Sequence, residues 1–230
     1  MEKLIIVDYS CHPFSLDLAK KLANKNRKIY YIFSKEVNLT GKYYETIKKK
    51  NLFILPIDVG GIPKHNFIIR RSKEIKFGLK LKNIIIKLNI NKVLLANVPI
   101  DPLFRLIVFC RNNKIKTYFW IQDIYHIAIK NFFKKKIFLY LIFGYFLSKL
   151  YYILEKYCYS NSTANIQITK NFSNFFPNRK NNFTINNWAP FKKKFFKKKN
   201  KYFTFIYTGT LSYKHDSQYL LELAKNNLNC

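Results

Sequence analysis

The chain has 230 residues, of which 49% are hydrophobic and 18% aromatic, and this composition excludes an intrinsically disordered protein. Lysine and arginine outnumber aspartate and glutamate by 42 to 12, which gives a formal net charge of +30. Such an excess indicates an anionic partner: nucleic acid, an acidic membrane surface or a phosphorylated substrate. An AT-rich coding sequence would enrich lysine in the same way, so drift on solvated faces is an equally good explanation of the charge.

The apolar residues follow the alternating pattern of βαβ units. Continuous apolar runs predict buried parallel strands, and segments of helical period between them predict helices. The expected strands cover residues 4–7, 29–33, 52–55, 92–96, 116–121, 164–168 and 183–185. The expected helices cover residues 15–25, with Ser15 as the N-cap, and then 77–88 and 103–112. This order predicts an α/β fold with a parallel sheet and helices on both faces.

One long apolar segment covers residues 137–159, and residues 137–147 within it carry no charge. An uncharged run of that length is too short to span a bilayer. Three lysines, Lys134 to Lys136, stand at its start, just after Phe132 and Phe133. A basic cluster beside aromatic and aliphatic residues suits a helix that lies in the membrane interface. A long core helix is the alternative.

The four cysteines form no C-x-x-C pair and no cluster with metal-ligand spacing, so no metal site is expected. They are Cys11, Cys110, Cys158 and Cys230, and reduced thiols in the cytoplasm are the simplest interpretation. The apolar run near the N-terminus is too short for a signal peptide. The sequence therefore predicts a cytoplasmic protein.

Polar residues follow two predicted neighbouring strands. Asn97 and Asp101 stand in Ala-Asn-Val-Pro-Ile-Asp-Pro after the strand at 92–96, and Trp120-Ile-Gln-Asp-Ile-Tyr ends the next strand. Ligands of open parallel sheets bind outside the carboxyl ends of the strands, which makes these residues candidates for a cleft. A helix cap or turn is the alternative role for each of them taken alone. His12, in the loop after the first strand, is a further candidate, and packing within a turn is an equally good explanation of it.

The last part of the sequence reads as a new αβ unit. Residues 203–208 form an apolar strand pattern, a glycine turn follows at Gly209, and residues 220–224 have a helical pattern. A helix N-terminus directly beyond a strand end can hold a phosphate group. The basic run at 191–201 reads as a linker between two domains.

Five motifs in this order resemble bacterial family 4 glycosyltransferases of the GT-B fold, in the branch that builds capsule, O-antigen and colanic-acid-type polysaccharides. They stand at residues 97–101, 120–125, 155–160, 187–188 and 207–212. The resemblance implies an acceptor-side Rossmann-like domain at 1–190, a linker at 191–201, and the start of a nucleotide-sugar-binding domain at 202–230. The sequence ends before the Glu-x7-Glu pair of the family's donor site, so we expect a truncated or split gene product that is inactive alone.

The resemblance also implies which residues would bind the two substrates. The acceptor cleft would contain His12, Asn97, Asp101, Trp120, Gln122, Asp123 and Tyr125. The donor diphosphate would meet Gly209, Thr210, Ser212, Lys214 and His215. Ser212 replaces the usual second glycine of the phosphate turn and Thr210 replaces a common arginine, while the catalytic acids of the donor site are missing. No metal and no cofactor is implied, since the nucleotide-diphosphate sugar is a substrate.

The implied function is transfer of a hexose, with retention of configuration, to a lipid-linked or polysaccharide acceptor in lipopolysaccharide or other cell-surface glycan synthesis. The enzyme would be peripheral on the inner face of the plasma membrane, bound to anionic lipid through residues 132–152, and a separately encoded C-terminal half would be a partner. One alternative is a non-catalytic accessory or remnant domain. A nucleic-acid-binding protein is a weaker alternative, because the basic residues are scattered and no nucleic-acid motif is present.

Overall fold

The computed structural model describes residues 1–61, 66–134, 138–176, 181–189 and 217–226. The strands are β1 (Glu2–Asp8), β2 (Arg27–Ser34), β3 (Leu52–Ile57), β4 (Lys92–Ala96), β5 (Lys116–Ile121), β6 (Ala164–Gln167) and β7 (Asn182–Thr184). The helices are α1 (Pro13–Leu22), α2 (Phe67–Lys87), α3 (Ile100–Asn112), α4 (Tyr125–Phe133), α5 (Phe138–Asn161) and α6 (Ser217–Asn226). Short 3₁₀ helices cover Lys35–Val37, Tyr43–Thr46 and Lys170–Phe175.

The described strands form one parallel sheet in the order β3-β2-β1-β4-β5-β6-β7. β1 connects through α1 to β2 on one side, whereas β4 connects through α3 to β5 on the other. The order therefore reverses between β1 and β4, and a crevice opens at the carboxyl ends of these two strands. The α/β fold with a Rossmann-like parallel sheet, predicted from the sequence, is confirmed.

Two apolar clusters hold the helices on the two faces of the sheet. The continuous run Ile5-Ile6-Val7 of β1 is fully buried and divides its side chains between the clusters. The larger cluster includes buried residues of α2 and α3 and the end of α5. The smaller cluster includes Leu16 and Ala19 of α1. Burial on both faces explains why these strands are continuously apolar rather than alternating.

The helices differ from the sequence prediction at their starts. Ser15 was expected to be the N-cap of the first helix, and this is wrong: the helix begins at Pro13 with His12 as its N-cap residue. Pro13 fits the first helical position because its fixed φ suits a helix and its missing N–H would have no partner there. α2 begins at Phe67 rather than at residue 77, and α4 was not predicted at all.

The long apolar segment divides into two parts. Near the end of α5, Glu155, Cys158 and Tyr159 are buried, as expected of a core helix. Earlier in α5, Phe143 and Phe146 are largely exposed. Within the described ranges, no helix is long and apolar enough to cross a membrane.

Three cysteines of the described chain are buried free thiols: Cys11, Cys110 and Cys158. Burial raises the pKa of Cys11 to about 11 and that of Cys110 to about 12. The pKa of Cys158 is also raised, mainly by burial. All three are therefore protonated and unreactive at neutral pH.

The linker at 191–201 and the predicted strand and turn at 202–216 lie outside the described residues. The described part of the last segment is α6. The boundaries of the two predicted domains remain a prediction.

Candidate functional site

The candidate site lies in the crevice where the sheet order reverses. Ser10 and His12 follow β1, and Asn97 follows β4, so these residues stand on its two sides. The Asn97 side-chain amide donates a hydrogen bond to Ser10 Oγ at 3.0 Å, which joins the two loops. Asn97 has a left-handed φ of 48°, a conformation that asparagine tolerates better than most residues. The turn after β4 is therefore built to place this amide at the crevice.

Asp8 and His12 form an ordered pair at the end of β1. The Asp8 side chain is fully buried, and its two oxygens accept hydrogen bonds from His12 Nδ1 at 2.9 and 3.0 Å. Asp8 also accepts from the backbone N–H of His12 at 2.9 Å and of Ser10 at 3.2 Å, and from the Ser15 hydroxyl. Cys11, with a left-handed φ of 54°, turns the chain back so that His12 meets Asp8.

This pairing fixes the chemistry of the His12 ring. Because Asp8 takes the Nδ1 hydrogen, the neutral ring carries its lone pair on Nε2. Burial lowers the pKa of His12, but the hydrogen bond and charge of Asp8, with a smaller contribution from the charge of Asp123, raise it above its ordinary value of 6.5. The side chain remains 26% exposed, so a ligand in the crevice can reach it.

Gln122 and Asn187 form a second polar pair beyond β5. The Asn187 amide donates to Gln122 Oε1 at 2.8 Å, and the Gln122 amide donates to Asn187 Oδ1 at 3.4 Å. Both residues are exposed enough to exchange these bonds for bonds to a ligand. Asp123, the next residue after Gln122, is the acidic neighbour that acts on the pKa of His12.

An aromatic cluster supports the crevice from beneath. Trp120 is buried in the core and stacks on Trp188, with ring centroids 6.0 Å apart and an 18° angle between the planes. Phe14 packs edge-on against both rings, and its other neighbour is the His12 ring at 5.2 Å. Trp188 Nε1 donates to Asp17 Oδ2 at 3.0 Å, which ties the segment after β7 to α1. Phe14 thus links the His12 ring to the two tryptophans.

Two other predicted cleft residues, Asp101 and Tyr125, contact α2 and the turn after β4 instead. Asp101, in the first turn of α3, pairs with Arg71 of α2 at 2.6 Å. The Tyr125 hydroxyl points to the Val98 carbonyl at 3.5 Å, and burial raises the pKa of this hydroxyl strongly. The structure therefore places His12, Asn97, Gln122 and Asp123 at the same edge of the sheet. Asp101, Trp120 and Tyr125 instead contact neighbouring helices and loops.

Sequence reasoning placed Glu155 in the motif at 155–160 but did not predict that this buried carboxylate holds α4. Glu155 of α5 accepts hydrogen bonds from the backbone N–H groups of Tyr125 and His126, at 2.6 and 3.1 Å, and from His126 Nδ1 at 2.6 Å. It therefore supplies the negative charge that a helix N-terminus favours. Burial raises the pKa of Glu155, although these hydrogen bonds oppose the rise.

Asp8, Phe14 and Trp188 were also absent from the predicted site. Asp8 offered a usable signal, since an aspartate at the end of a strand with a histidine four residues later can pair with it. The predicted donor residues Gly209, Thr210, Ser212, Lys214 and His215 lie outside the described residues. In the described part of the chain, no group of three or more His, Cys, Asp or Glu residues could hold a metal ion.

No protein-family profile matches this chain, and no curated protein matches it. Among solved structures, the chain is similar to a UGT transferase from Siraitia grosvenorii determined in complex with UDP. The two share 8% sequence identity, with a TM-score of 0.46. The match covers 74% of this chain and 45% of the transferase, so the chain spans less than half of that protein's length.

Proposed function

We propose that this chain is the acceptor-side domain of a glycosyltransferase that takes a hexose from a nucleotide-diphosphate sugar. The observation that carries the proposal is the carboxyl edge of the neighbouring strands β1, β4 and β5, where the Asp8-oriented His12 shares one sheet edge with Asn97, Gln122 and Asp123. Three of these four residues belong to the motifs that resemble family 4 glycosyltransferases. The motif order and the placement of these residues at one sheet edge are independent observations that agree.

The side chains of the crevice suit a sugar or polyol acceptor. Amides such as Asn97 and Gln122 both donate and accept hydrogen bonds, and a carboxylate such as Asp123 accepts them from hydroxyl groups. In neutral His12, Nε2 can accept the hydrogen of the acceptor hydroxyl and so orient its oxygen toward the sugar. The acceptor oxygen then bonds to the anomeric carbon as the bond to the diphosphate breaks, and the hydroxyl proton passes to His12 Nε2.

Two finer parts of the proposal come from the family resemblance. Configuration would be retained. The acceptor would be lipid-linked or a growing polysaccharide of the cell surface, handled on the cytoplasmic face of the membrane. The net charge of +30 supports attraction to anionic lipid and to phosphorylated substrates. A C-terminal half, in the same or a separate polypeptide, would hold the nucleotide sugar.

Acceptor binding can be tested on the chain as it is. Trp120 and Trp188 are its two tryptophans, and both lie at the crevice, so their fluorescence reports binding there. We expect glycan acceptors to change this fluorescence and His12→Ala to lower their affinity about tenfold, as for loss of one hydrogen bond. Lys87→Ala, at the far end of α2, is the matched control. Binding of single-stranded DNA in place of glycans would favour the nucleic-acid alternative.

Transfer itself requires the donor-binding half. We would assay labelled nucleotide sugars and lipid-linked acceptors with the chain alone and with a C-terminal half added as a second polypeptide. The proposal predicts transfer in the combined sample and a loss of at least about 100-fold in His12→Ala. Product anomers would test retention. Full activity of His12→Ala, with acceptor binding unchanged, would contradict the proposed site.

A further inference from the structure

The edge strand β7 turns its polar side chains inward and its apolar side chains outward. Asn182 and Thr184 lie on the side of the sheet that faces α5, where they contact side chains of β6 and α5. Phe183, between them, points to the other side and is 53% exposed, and Ile185, the next residue on that side, is 46% exposed. The apolar pattern of this segment alone would favour the opposite arrangement, with Phe183 and Ile185 turned toward α5.

A shift of β7 by one residue along β6 would produce that opposite arrangement. The side-chain period of a strand is two residues, so such a shift turns every side chain to the other face. It would also move the following segment by about 3.3 Å. Asn187 and Trp188, which stand shortly after β7, would then leave the positions in which they contact Gln122 and Trp120. The register of β7 therefore decides where these two residues lie.

Two buried amides of β6 distinguish the two registers. Asn165 and Gln167 are 1% and 4% exposed, and they stand opposite Asn182 and Thr184 in the parallel pairing. Asn165 Nδ2 donates to Asn182 Oδ1 at 3.1 Å, and Gln167 Nε2 donates to Thr184 Oγ1 at 3.2 Å. Asn182 Nδ2 donates in turn to the Tyr159 hydroxyl. We call Asn165, Gln167, Asn182 and Thr184 the polar ladder.

The polar ladder opposes the shifted register, because Phe183 and Ile185 have no side-chain acceptor. Asn165 and Gln167 would each lose the bond to β7, and a buried amide that loses a partner is unfavourable. The backbone bonds of β7 do not discriminate in this way, since each residue of the strand offers the same N–H and C=O groups. Among the described contacts of β7 itself, the side-chain bonds of the polar ladder are the ones that depend on the register.

The polar ladder is not built for stability alone. Asn165 Oδ1 and Gln167 Oε1 are buried without a hydrogen-bond partner in the part of the chain that the structure describes. Each unpaired acceptor opposes folding, whereas leucine and methionine, apolar side chains of the same shapes, would avoid that cost. Buried polar groups that cost stability can specify one arrangement among several, as a single buried asparagine does in coiled coils.

We infer that Asn165 and Gln167 are positioning residues that hold β7 in the register that brings Asn187 and Trp188 to the candidate site. In this register, Asn187 and Trp188 make the contacts with the end of β5 and with α1 described above. That this placement serves acceptor binding rests on the proposed function, whereas the register itself can be measured without any substrate.

NMR of the indole N–H groups in the full chain tests the inference. Trp188 Nε1 donates to Asp17 at 3.0 Å, so its signal reports the position of the segment after β7, and Trp188→Phe assigns that signal. Asn165→Leu/Gln167→Met, the double ladder variant, replaces both amides by apolar groups of the same shape. About half or more of the Trp188 signal should move to the shift of a solvent-exposed indole, while the midpoint of urea unfolding is unchanged or higher.

A compensating change separates a choice of register from general loosening. Phe183→Thr/Ile185→Thr removes the apolar side chains that favour the shifted register. Added to the double ladder variant, it should return most of the Trp188 signal to its wild-type position, whereas loosened packing would not be repaired. Alone, it is the matched control and should leave the signal unchanged. Gln167→Met by itself keeps one bond of the polar ladder to β7 and should displace a smaller part of the signal.

Three results would overturn the inference. An unmoved Trp188 signal in a folded double ladder variant would show that the contacts of Asn187 and Trp188 themselves set the register. Displacement that Phe183→Thr/Ile185→Thr does not reverse would show general loosening. Loss of the folded state in both ladder variants would make the polar ladder a source of stability rather than of register. No result involves acceptor binding or sugar transfer, so failure here and failure of the proposed function are distinguishable.

Discussion

Replacement of Asp8 by asparagine tests the structural core of the candidate site. Asp8 is fully buried and accepts hydrogen bonds from His12 Nδ1, from the Ser15 hydroxyl and from two backbone N–H groups. Asparagine keeps one oxygen but turns an NH₂ group toward some of these donors. At least one buried donor then loses its partner, at a cost of about 1–3 kcal/mol, and one charge-assisted bond becomes a neutral one. We expect Asp8→Asn to lower the free energy of unfolding by about 3 kcal/mol.

The same variant should reverse the direction of the pKa shift of His12. In the wild type, the pKa of His12 is raised, so its pairing adds stability below pH 6.5 that is lost as the pH rises through the folded-state pKa. Without Asp8, burial is the larger remaining effect and the charge of Asp123 the smaller one, so the pKa of His12 should fall below 6.5. Urea unfolding gives the free energy, and NMR titration of the four histidines gives the pKa.

Asp123→Asn is the control for Asp8→Asn, because Asp123 acts on His12 by charge alone. It should lower the pKa of His12 slightly and change the unfolding free energy by less than about 0.5 kcal/mol. If Asp8→Asn were as stable as Asp123→Asn and left the pKa of His12 above 6.5, the reasoning about a buried, charge-oriented histidine would be refuted.

Three further substitutions probe other parts of the fold. Gly78→Ala should destabilise the chain by about 1–3 kcal/mol in urea unfolding, because the new Cβ would lie 2.6 Å from Pro102 Cβ; a gain from helix propensity would contradict this. Glu155→Gln should cost about 2–3 kcal/mol in the same assay, since the amide cannot accept all three hydrogen bonds at the start of α4. The pKa of Glu2 is lowered to about 2 by Lys92 and Arg27, so its contribution to stability is complete above pH 4.5 and is lost as the pH falls toward 2. Thermal unfolding across that range should therefore show a flatter pH dependence in Glu2→Gln than in the wild type.

The sheet could be predicted from the sequence because its strands are buried on both faces. The bounds expected for β4 and β5, 92–96 and 116–121, agree with the structure, since each is a short run that changes from lysine to apolar residues. The start of α2 was missed because Phe67, Ile68 and Ile69 are exposed and show no core-facing period. The start of α4 was missed because its cap, Glu155, lies far along the chain.

The candidate site could be predicted only in part. Asn97, Gln122 and Asp123 follow strand ends, and sheet topology places such residues at one edge whatever their side chains do. The spacing of Asp8 and His12 is visible in the sequence, but their pairing depends on the left-handed turn at Cys11, and a cysteine does not predict such a turn. Trp188 reaches Asp17 across most of the length of the chain. Contacts of this kind form only in the folded chain, and the spacing of apolar residues along the sequence does not predict them.

The three buried thiols can report how fast different regions of the chain unfold. A thiol must be ionised and reachable to react with an alkylating reagent, and Cys11, Cys110 and Cys158 satisfy neither condition while the sheet and its helices are packed. Cys11 lies beside the crevice, Cys110 on α3, and Cys158 near the end of α5, so they sample three separate regions of the domain. Modification of each by mass spectrometry would time the release of that region, and equal rates at all three would mean that the domain opens as one cooperative unit.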